Sequence, residues 1–515
     1  MIIDQGRQKG PSCSNYESVE QDNELKMNEN PATVRTRFAP SPTGFMHVGN
    51  LRTALYAYLL ARSQGGRFVL RIEDTDRNRY IDGAVEVIFD TLRQAGLEHD
   101  EGPDVGGEYG PYVQSERQSI YRQYAGELIA KGAAYYCFCE KNEPEAAADP
   151  EAVSTGYDGR CRKLSAAEVE ANLAAGKPCV IRQKIDREGS TTFHDLVFGE
   201  ITIENKVLDD QILLKSDGMP TYNFANVVDD HLMRISHVVR GAEYLSSTPK
   251  YNLLYRAFGW EIPQYVHLPL IMGRNPDGSI AKLSKRHGSV SFENLTAEGY
   301  LPAAIVNYIA LLGWSPKNDR ELFSLAELRE LFQVSGLNKS PAVFDYDKLK
   351  WMNGEYIKAL PFEDFVRLAR PYARLDGTVL ADRWPLIAGL LHQRITLFSE
   401  IPEKIRFLLE VPEYELDLYN NKKSKSNCDV ARRLLPELVE RLEALPDWNY
   451  EAISAAIGEY AAANDLKLNL VMWAPRIALA GLAVTPGGAL EIMEILGREE
   501  SLKRLRSGIA RLEKA

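Results

Sequence analysis

The stretch RFAPSPTGFMHVGNLRTALYAYLLAR, residues 37–62, sets two prolines, two glycines and a histidine directly before a run of helical periodicity. Before it, TVRTRF reads as a short strand. After it, Leu51, Ala54, Leu55, Tyr58 and Leu59 recur at i, i+3, i+4, i+7 and i+8, one face of a helix. Gly65 and Gly66 supply the stop, and RFVLRIEDTD follows as a mostly apolar strand that ends in carboxylates. Strand, helix and strand in this order predict a βαβ unit in a parallel sheet. Ligands of such sheets collect at the carboxyl ends of the strands, where the Gly-punctuated loop and Glu73, Asp74 and Asp76 all fall. Neither G-x-G-x-x-G nor G-x-x-x-x-G-K-[ST] occurs here, so a phosphate cradle of another kind is expected.

The chain is long enough, at 515 residues, for several domains. Its 45% hydrophobic and 26% charged residues are those of a soluble globular protein. No apolar run approaches the roughly 20 residues of a spanning helix and no leader pattern opens the chain, so a cytoplasmic protein with no membrane partner is expected. A formal net charge of −11 argues against indiscriminate coating of nucleic acid and makes DNA an unexpected partner. Local basic runs occur nonetheless, KLSKRHG at 282–288 and NNKKSKSN at 420–427 among them, and each taken alone reads as a solvated face. The six cysteines, Cys13, Cys137, Cys139, Cys161, Cys179 and Cys428, are too few and scattered for a disulfide framework.

Residues 1–32 are polar and aperiodic and read as a disordered tail. Between residues 131 and 219 short strand-like pieces predict an α+β insertion in the nucleotide fold. From about Ser324 the pattern becomes helical and stays so, an all-α half larger than small-molecule chemistry requires.

Glycines at a helix N-terminus let backbone amides approach phosphate oxygens, which suggests Gly44 and Gly49 for that role. His47 stands where its imidazole could donate to a phosphate that gains charge during substitution. Alone, such a histidine reads as a satisfied turn residue. KLSKRHG changes that reading, because Lys282, Ser284, Lys285 and Arg286 form a polar loop that could deliver mobile positive charge to a phosphorus centre and a departing pyrophosphate.

The pairing of HVGN (47–50) with KLSK (282–285) resembles the two signatures of class I aminoacyl-tRNA synthetases. RFAPSPTG, RIEDTDRNRY, GPYVQSER, TYNFANVVDDHLMRISHVVRGAEY, SPAVFDYDKLKWMN and APRIALAGLAVTPG are similar, in order, to bacterial glutamyl-tRNA synthetases. The match runs from about Val34 to the C-terminus. Asn50 and Leu283 replace a histidine and a methionine of the signatures, and neither change removes a charge. The resemblance implies an α/β fold: a Rossmann-type parallel-sheet catalytic domain (33–130 and 220–290), an inserted acceptor-stem domain (131–219), a stem-contact region (291–365) and an all-α anticodon-binding domain (366–515). It implies activation of L-glutamate by ATP with magnesium and transfer to tRNA(Glu), by a monomer. His47, Lys282 and Lys285 are the implied catalytic residues. ATP is expected against Gly44, His47, Gly49, Asn50, Ser284, Lys285 and Arg286. Glutamate is expected against Arg37, Ala39, Ser41, Glu73, Tyr222, Asn226 and Arg240. A zwitterion with a second carboxylate needs guanidinium clamps, a carboxylate for its ammonium and neutral donors, and this set contains each.

CFC (137–139) followed by YDGRC (157–161) is similar to a zinc knuckle carried by some members of the family in the acceptor-stem insert. Zinc takes four ligands, and only three thiols are local; Lys163 stands where some relatives have a histidine, which leaves Tyr157 as the fourth candidate. Zinc ligation by Cys137, Cys139, Cys161 and Tyr157 and three merely packed thiols both remain open. Glutaminyl-tRNA synthetases are the alternative within the class, but they usually open closer to P-E-P-N-G and typically carry a β-barrel where this chain is helical. A small-molecule nucleotidyltransferase would need neither the insert nor the helical half, and the shortened relative that glutamylates a modified base lacks that half. Whether tRNA(Gln) is charged as well is not legible from one sequence.

Overall fold

The computed structural model describes residues 33–76, 80–139, 157, 159–288 and 290–514, with the side chain of Lys285 left aside. The predicted tail, 1–32, lies outside them. The predicted βαβ unit is present as β1 (Arg35–Phe38), α1 (Val48–Ser63) and β2 (Arg67–Leu70), with β1 and β2 parallel in the register Arg35 to Arg67 through Phe38 to Leu70. Gly66 ends the crossover at a close approach: a Cβ there would stand 2.1 Å from the Val34 carbonyl oxygen. α1 is buried nearly all round rather than on one face, Arg52, Tyr56, Ala57 and Leu60 included. It lies between the sheet and later helices, so its periodicity disclosed only one of its two partners.

After α2 (Ala84–Gln94) and α3 (Gln118–Ala130), the stretch expected as one insert divides between two sheets. β3 (Ala134–Cys137), β4 (Val180–Gln183) and β7 (Ile212–Leu214) form a three-stranded antiparallel sheet. α4 (Ala166–Ala174) lies within the same stretch, opened by the capping box of Ser165 and Glu168. The hairpin of β5 (Ser190–Asp195) and β6 (Gly199–Glu204) instead extends the main sheet. With β8 (His237–Gly241) and β9 (Gln264–Leu268), separated from the insert by α5 (Tyr222–Leu232) and from each other by α6 (Thr248–Phe258), the six-stranded order is β2-β1-β8-β9-β5-β6. Five strands run parallel, and only β6 opposes them. β5 meets β9 through one pairing, Asp195 with Tyr265.

β10 (Ile271–Arg274) and β11 (Ile280–Lys282) form the hairpin that carries KLSK, and β12 (Ala342–Val343) adds a parallel strand to it. The expectation of helix alone beyond Ser324 therefore fails locally, at the β-branched and aromatic step AVF that follows Pro341. Elsewhere the second half is helical. One apolar core surrounds α1 and extends to Met352; a second joins helices from Ile357 to Leu512, with Leu301 and Ala304 packed into it. Among the described residues no helix is long and apolar enough to cross a membrane.

Candidate active site

A cavity of about 480 Å3 opens at the carboxyl ends of β1, β8 and β9, beside the start of α1 and the end of β11. Of the residues expected to act, Arg37, Ala39, Ser41, His47, Gly49, Asn50, Tyr222, Arg240 and Lys282 line it together. Gly44, Glu73, Asn226, Ser284 and Arg286 do not, and the Lys285 side chain is outside the described part.

His47 is the N-cap of α1. Its Nδ1 accepts from the Gly49 amide at 3.0 Å, so the ring is neutral at that nitrogen and Nε2 carries the proton. Burial lowers its pKa, and the charge of Lys282 lowers it further. A Cβ on Gly49 would stand 3.2 Å from Nδ1, which explains glycine at that position. The backbone amides at the start of the helix already have protein acceptors. The Val48 amide donates to Val290, Gly49 to the imidazole, and Asn50 and Leu51 to the His47 carbonyl. Gly44, off the cavity, holds a φ of +112°, the left-handed region that favours glycine.

In the second signature, Lys282 is exposed at the cavity edge while Leu283 is buried in the core, its amide bonded to the Ile271 carbonyl at 3.0 Å. The replacement of methionine by leucine is thus a change of core side chain. Ser284 is held by His287, whose Nδ1 accepts from the Ser284 amide at 3.1 Å while Nε2 donates to Asn275 Oδ1 at 3.0 Å. Residues 285–287 form a 3-10 turn with Arg286 exposed.

The far wall holds two buried guanidinium groups of different character. Arg37, 4% exposed, donates from Nε to Asp230 at 3.1 Å and from Nη1 to the Val239 carbonyl at 3.2 Å. Burial works against its charge, but Asp230 holds its pKa above the ordinary value. Arg240, 5% exposed, has only neutral acceptors among the described residues, His267 Nε2 at 3.0 Å and Thr248 Oγ1 at 2.8 Å. Tyr222, the first residue of α5, stacks obliquely on Tyr244 at 5.6 Å, and burial pushes its hydroxyl pKa up.

Behind this wall lies a network of buried charges. Arg71 binds Glu73 at 2.9 Å and Asp230 at 2.8 Å, and Arg117 binds Asp229 at 2.7 Å. Glu73 Oε1 takes Arg71 and a long contact from Gln114, while buried Oε2 has no partner among the described residues. Burial pushes Glu73 up to about 7 against the pull of Arg71 and Arg37. The Asn226 amide donates back to the Tyr222 carbonyl at 3.0 Å, a bond within the helix.

Some residues of the site escaped the sequence reading. Arg52, Glu243 and Tyr244 line the cavity, and Arg52 is buried, with Nη1 on the Leu312 carbonyl at 3.1 Å, Nη2 on the Pro269 carbonyl and Nε without a partner among the described residues. Its signal was available: Arg52 follows Gly49 by one helical turn and so looks toward the same mouth.

In the second sheet, Cys137, Cys139 and Cys161 bring their Sγ atoms within 4.8 Å of one another. Tyr157 Oη lies 3.4 Å from Cys137 Sγ, and the Arg182 guanidinium sits 3.8 Å over the Tyr157 ring. Three thiols this close together are donors of the kind that zinc takes, and Tyr157 stands beside them as the fourth candidate.

The family model for tRNA synthetases class I (E and Q), catalytic domain, matches residues 33–351, and the model for an anticodon binding domain matches 364–509. The chain belongs to the class I tRNA synthetases of the E and Q type. It is 53% identical over 485 residues to a glutamate–tRNA ligase of Clostridium novyi (strain NT), covering 94% of this chain and 99% of that one. The crystal structure of a glutamate tRNA ligase from Elizabethkingia meningosepticum in complex with its amino acid is 36% identical with a TM-score of 0.83, covering 93% of this chain and all of that one. The enzyme from Elizabethkingia anophelis is similar at 35% identity and a TM-score of 0.82, with the same coverage. The synthetase fold thus agrees with the α/β reading, and the two matched regions part near residue 352, where the two apolar cores also part.

Proposed function

We propose that this synthetase attaches L-glutamate to tRNA(Glu) through a glutamyl-adenylate. The observation that carries the reading is one cavity in which two buried guanidiniums, a tyrosine hydroxyl and a serine lie opposite His47 and Lys282. A small molecule with two carboxylates fits the first group, and a polyphosphate fits the second.

In the first step an oxygen of the α-carboxylate attacks the α-phosphorus of ATP, and the bond to the bridging oxygen breaks to release pyrophosphate. His47, neutral and donating through Nε2, and Lys282 stabilise the charge that gathers on phosphate; Lys285, from the adjoining turn, is assigned the same work on the leaving group. Arg37, Arg240 and Tyr222 hold the substrate carboxylates. Glu73, set behind the cavity wall with one oxygen unpartnered among the described residues, is assigned the ammonium, with Asn226 and Ser41 as neutral contacts and Ala39 as a wall. Gly44, Gly49, Asn50, Ser284 and Arg286 shape the nucleotide side. Magnesium enters with ATP as its counter-ion. In the second step the terminal ribose 2′-hydroxyl of tRNA attacks the activated carbonyl, its proton is lost, and AMP departs with the bonding electrons.

The domain boundaries expected from the sequence accompany this proposal, with the hairpin 190–204 assigned to the catalytic sheet. Cys137, Cys139, Cys161 and Tyr157 are proposed to hold a zinc ion that fixes the insert, outside the chemistry. The helical half, 366–515, is proposed to read the anticodon, and its helical character favours glutamate over glutamine as the amino acid. The test is aminoacylation of purified tRNA(Glu) and tRNA(Gln) with labelled glutamate and glutamine. Charging of tRNA(Glu) by glutamate is expected; charging by glutamine alone would overturn the reading, and charging of both tRNAs by glutamate would widen it.

A further inference from the structure

Arg240 is a buried cation with no carboxylate within ion-pair distance among the described residues. Aromatic faces surround it instead, those of Tyr251, Tyr265 and Tyr244 lying 4.6, 5.2 and 5.4 Å from the guanidinium carbon. Its direction is set by the acceptors of Nε and Nη2, His267 Nε2 and Thr248 Oγ1. An imidazole nitrogen accepts only when unprotonated, so the proton of His267 must sit on Nδ1.

Asp195 places it there. His267 Nδ1 is 2.7 Å from Asp195 Oδ2, and both side chains are fully buried. The same Oδ2 accepts the His267 amide at 3.0 Å, and Oδ1 accepts the amides of Val197 and Phe198 at 2.9 and 2.8 Å. The carboxylate cannot turn without losing these bonds. This chain of contacts starts at the single pairing that joins β5 to β9 and ends at the cavity.

We propose that Asp195 and His267 are positioning residues that aim Arg240 at the substrate carboxylate through a neutral acceptor, leaving its charge for the ligand to satisfy. The inference rests on the proposed glutamate site. It explains why a carboxylate stands two groups away from this arginine rather than against it. A direct partner, as Asp230 is for Arg37, would share the guanidinium with the substrate carboxylate. With the imidazole between them, direction comes from the hydrogen bond.

The test uses the full chain in aminoacylation of tRNA(Glu), with KM for glutamate and for ATP and the melting temperature measured on each variant. His267→Asn can keep the Asp195 contact but not the reach to Arg240; it is expected to raise glutamate KM by about tenfold or more and to leave ATP KM and kcat within about twofold. His267→Gln, which returns an acceptor near the Nε2 position, should recover most of that loss. An unchanged glutamate KM in His267→Asn, equal rises for both substrates, or a His267→Gln as impaired as His267→Asn would overturn the proposal. If His267→Asn does not melt cooperatively, Thr248→Val removes the other acceptor and decides between the same outcomes. Arg240→Ala separates the two levels. Should it leave glutamate KM unchanged, the glutamate site itself is misassigned; should it raise glutamate KM while the His267 and Thr248 variants do not, only the positioning role fails.

Discussion

Arg37 and Asp230 form an ion pair of 3.1 Å in which both side chains are buried. Asp230 also accepts from Arg71 at 2.8 Å, and burial notwithstanding, the two guanidiniums hold its pKa below the usual carboxylate range. Arg37 is therefore part of the protein's internal charge balance as well as a wall of the cavity. Arg37→Gln should cost about 2–5 kcal/mol in the use of glutamate, the usual range for truncating one partner of a buried pair. It should also lower the melting temperature, because Asp230 loses one of its two cations. ATP KM should hardly move. Kinetic constants for both substrates, read beside the melting curve, check this: a variant that melts early yet uses glutamate normally would make Arg37 a structural cation and leave the substrate carboxylate to Arg240.

His47 has two separable duties. As N-cap it accepts the Gly49 amide through Nδ1, and as a neutral imidazole it offers Nε2–H to the cavity. Asparagine can cap a helix but lacks the second donor at that reach, whereas alanine loses both. His47→Asn should keep parental stability and His47→Ala should lose about 1 kcal/mol. Both should lose about 2.7–4 kcal/mol of stabilisation in the step at phosphorus, as when one preorganised donor is removed. Single-turnover formation of charged tRNA, with thermal melts alongside, measures the two effects apart. Equal stabilities for both variants would remove the cap from the account, and parental turnover in either would remove the donor.

The βαβ start of the fold was legible because it is local: an amphipathic run, a glycine stop and an apolar strand lie within forty-odd residues of one another. His47 and Lys282 were legible as a pair because their motifs are composed of unusual neighbours. What escaped is of another kind. Asp195, Asp230 and His267 sit in sequence contexts that look like ordinary strand and helix, and their chemistry exists only once β5, α5 and β9 have brought them against Arg240 and Arg37. The hairpin 190–204 alternates like any antiparallel pair, and nothing local says that its first strand will join the main sheet through Asp195. The turn at 44–49 shows the same limit of local reading: glycines next to a helix start suggest free amides, and here a histidine cap takes the Gly49 amide and the loop before α7 (Phe292–Ala297) takes that of Val48.

The thiol cluster is expected to hold one zinc ion per chain. Cys137→Ser and Cys161→Ser each remove a thiolate and should abolish binding, since the thiolates supply the negative charge that holds the ion. Tyr157→Phe tests the fourth donor directly: it should weaken retention against a chelator without removing any sulfur. Elemental analysis after growth with added zinc is the measurement. Metal content near zero in the parent protein would assign the cluster to packing, and unchanged retention in Tyr157→Phe would assign the fourth place to water or another group.

Glu73 gives the site a pH dependence whose sign can be worked out. Its carboxyl is buried, one oxygen bound to Arg71 and the other without a partner among the described residues, and burial pushes its pKa up to about 7. A carboxyl with a raised pKa is neutral below that value and charged above it. Only the charged form can match the ammonium of an amino acid, so the neutral form should bind glutamate poorly. The value of kcat/KM for glutamate should accordingly climb by about tenfold per pH unit below neutrality and level off above about pH 7. His47 adds a second limb, but burial and Lys282 lower its pKa from the ordinary 6.5, so that limb lies on the acid side of the first. Glu73→Gln separates them. It should raise glutamate KM strongly and erase the upper limb while the lower one, carried by the neutral cap at His47, persists and appears equally in the profile for ATP. A parental profile for glutamate that is flat between about pH 6 and 8, or an upper limb that survives in Glu73→Gln, would show that another group takes the ammonium and that the buried carboxyl serves Arg71 alone.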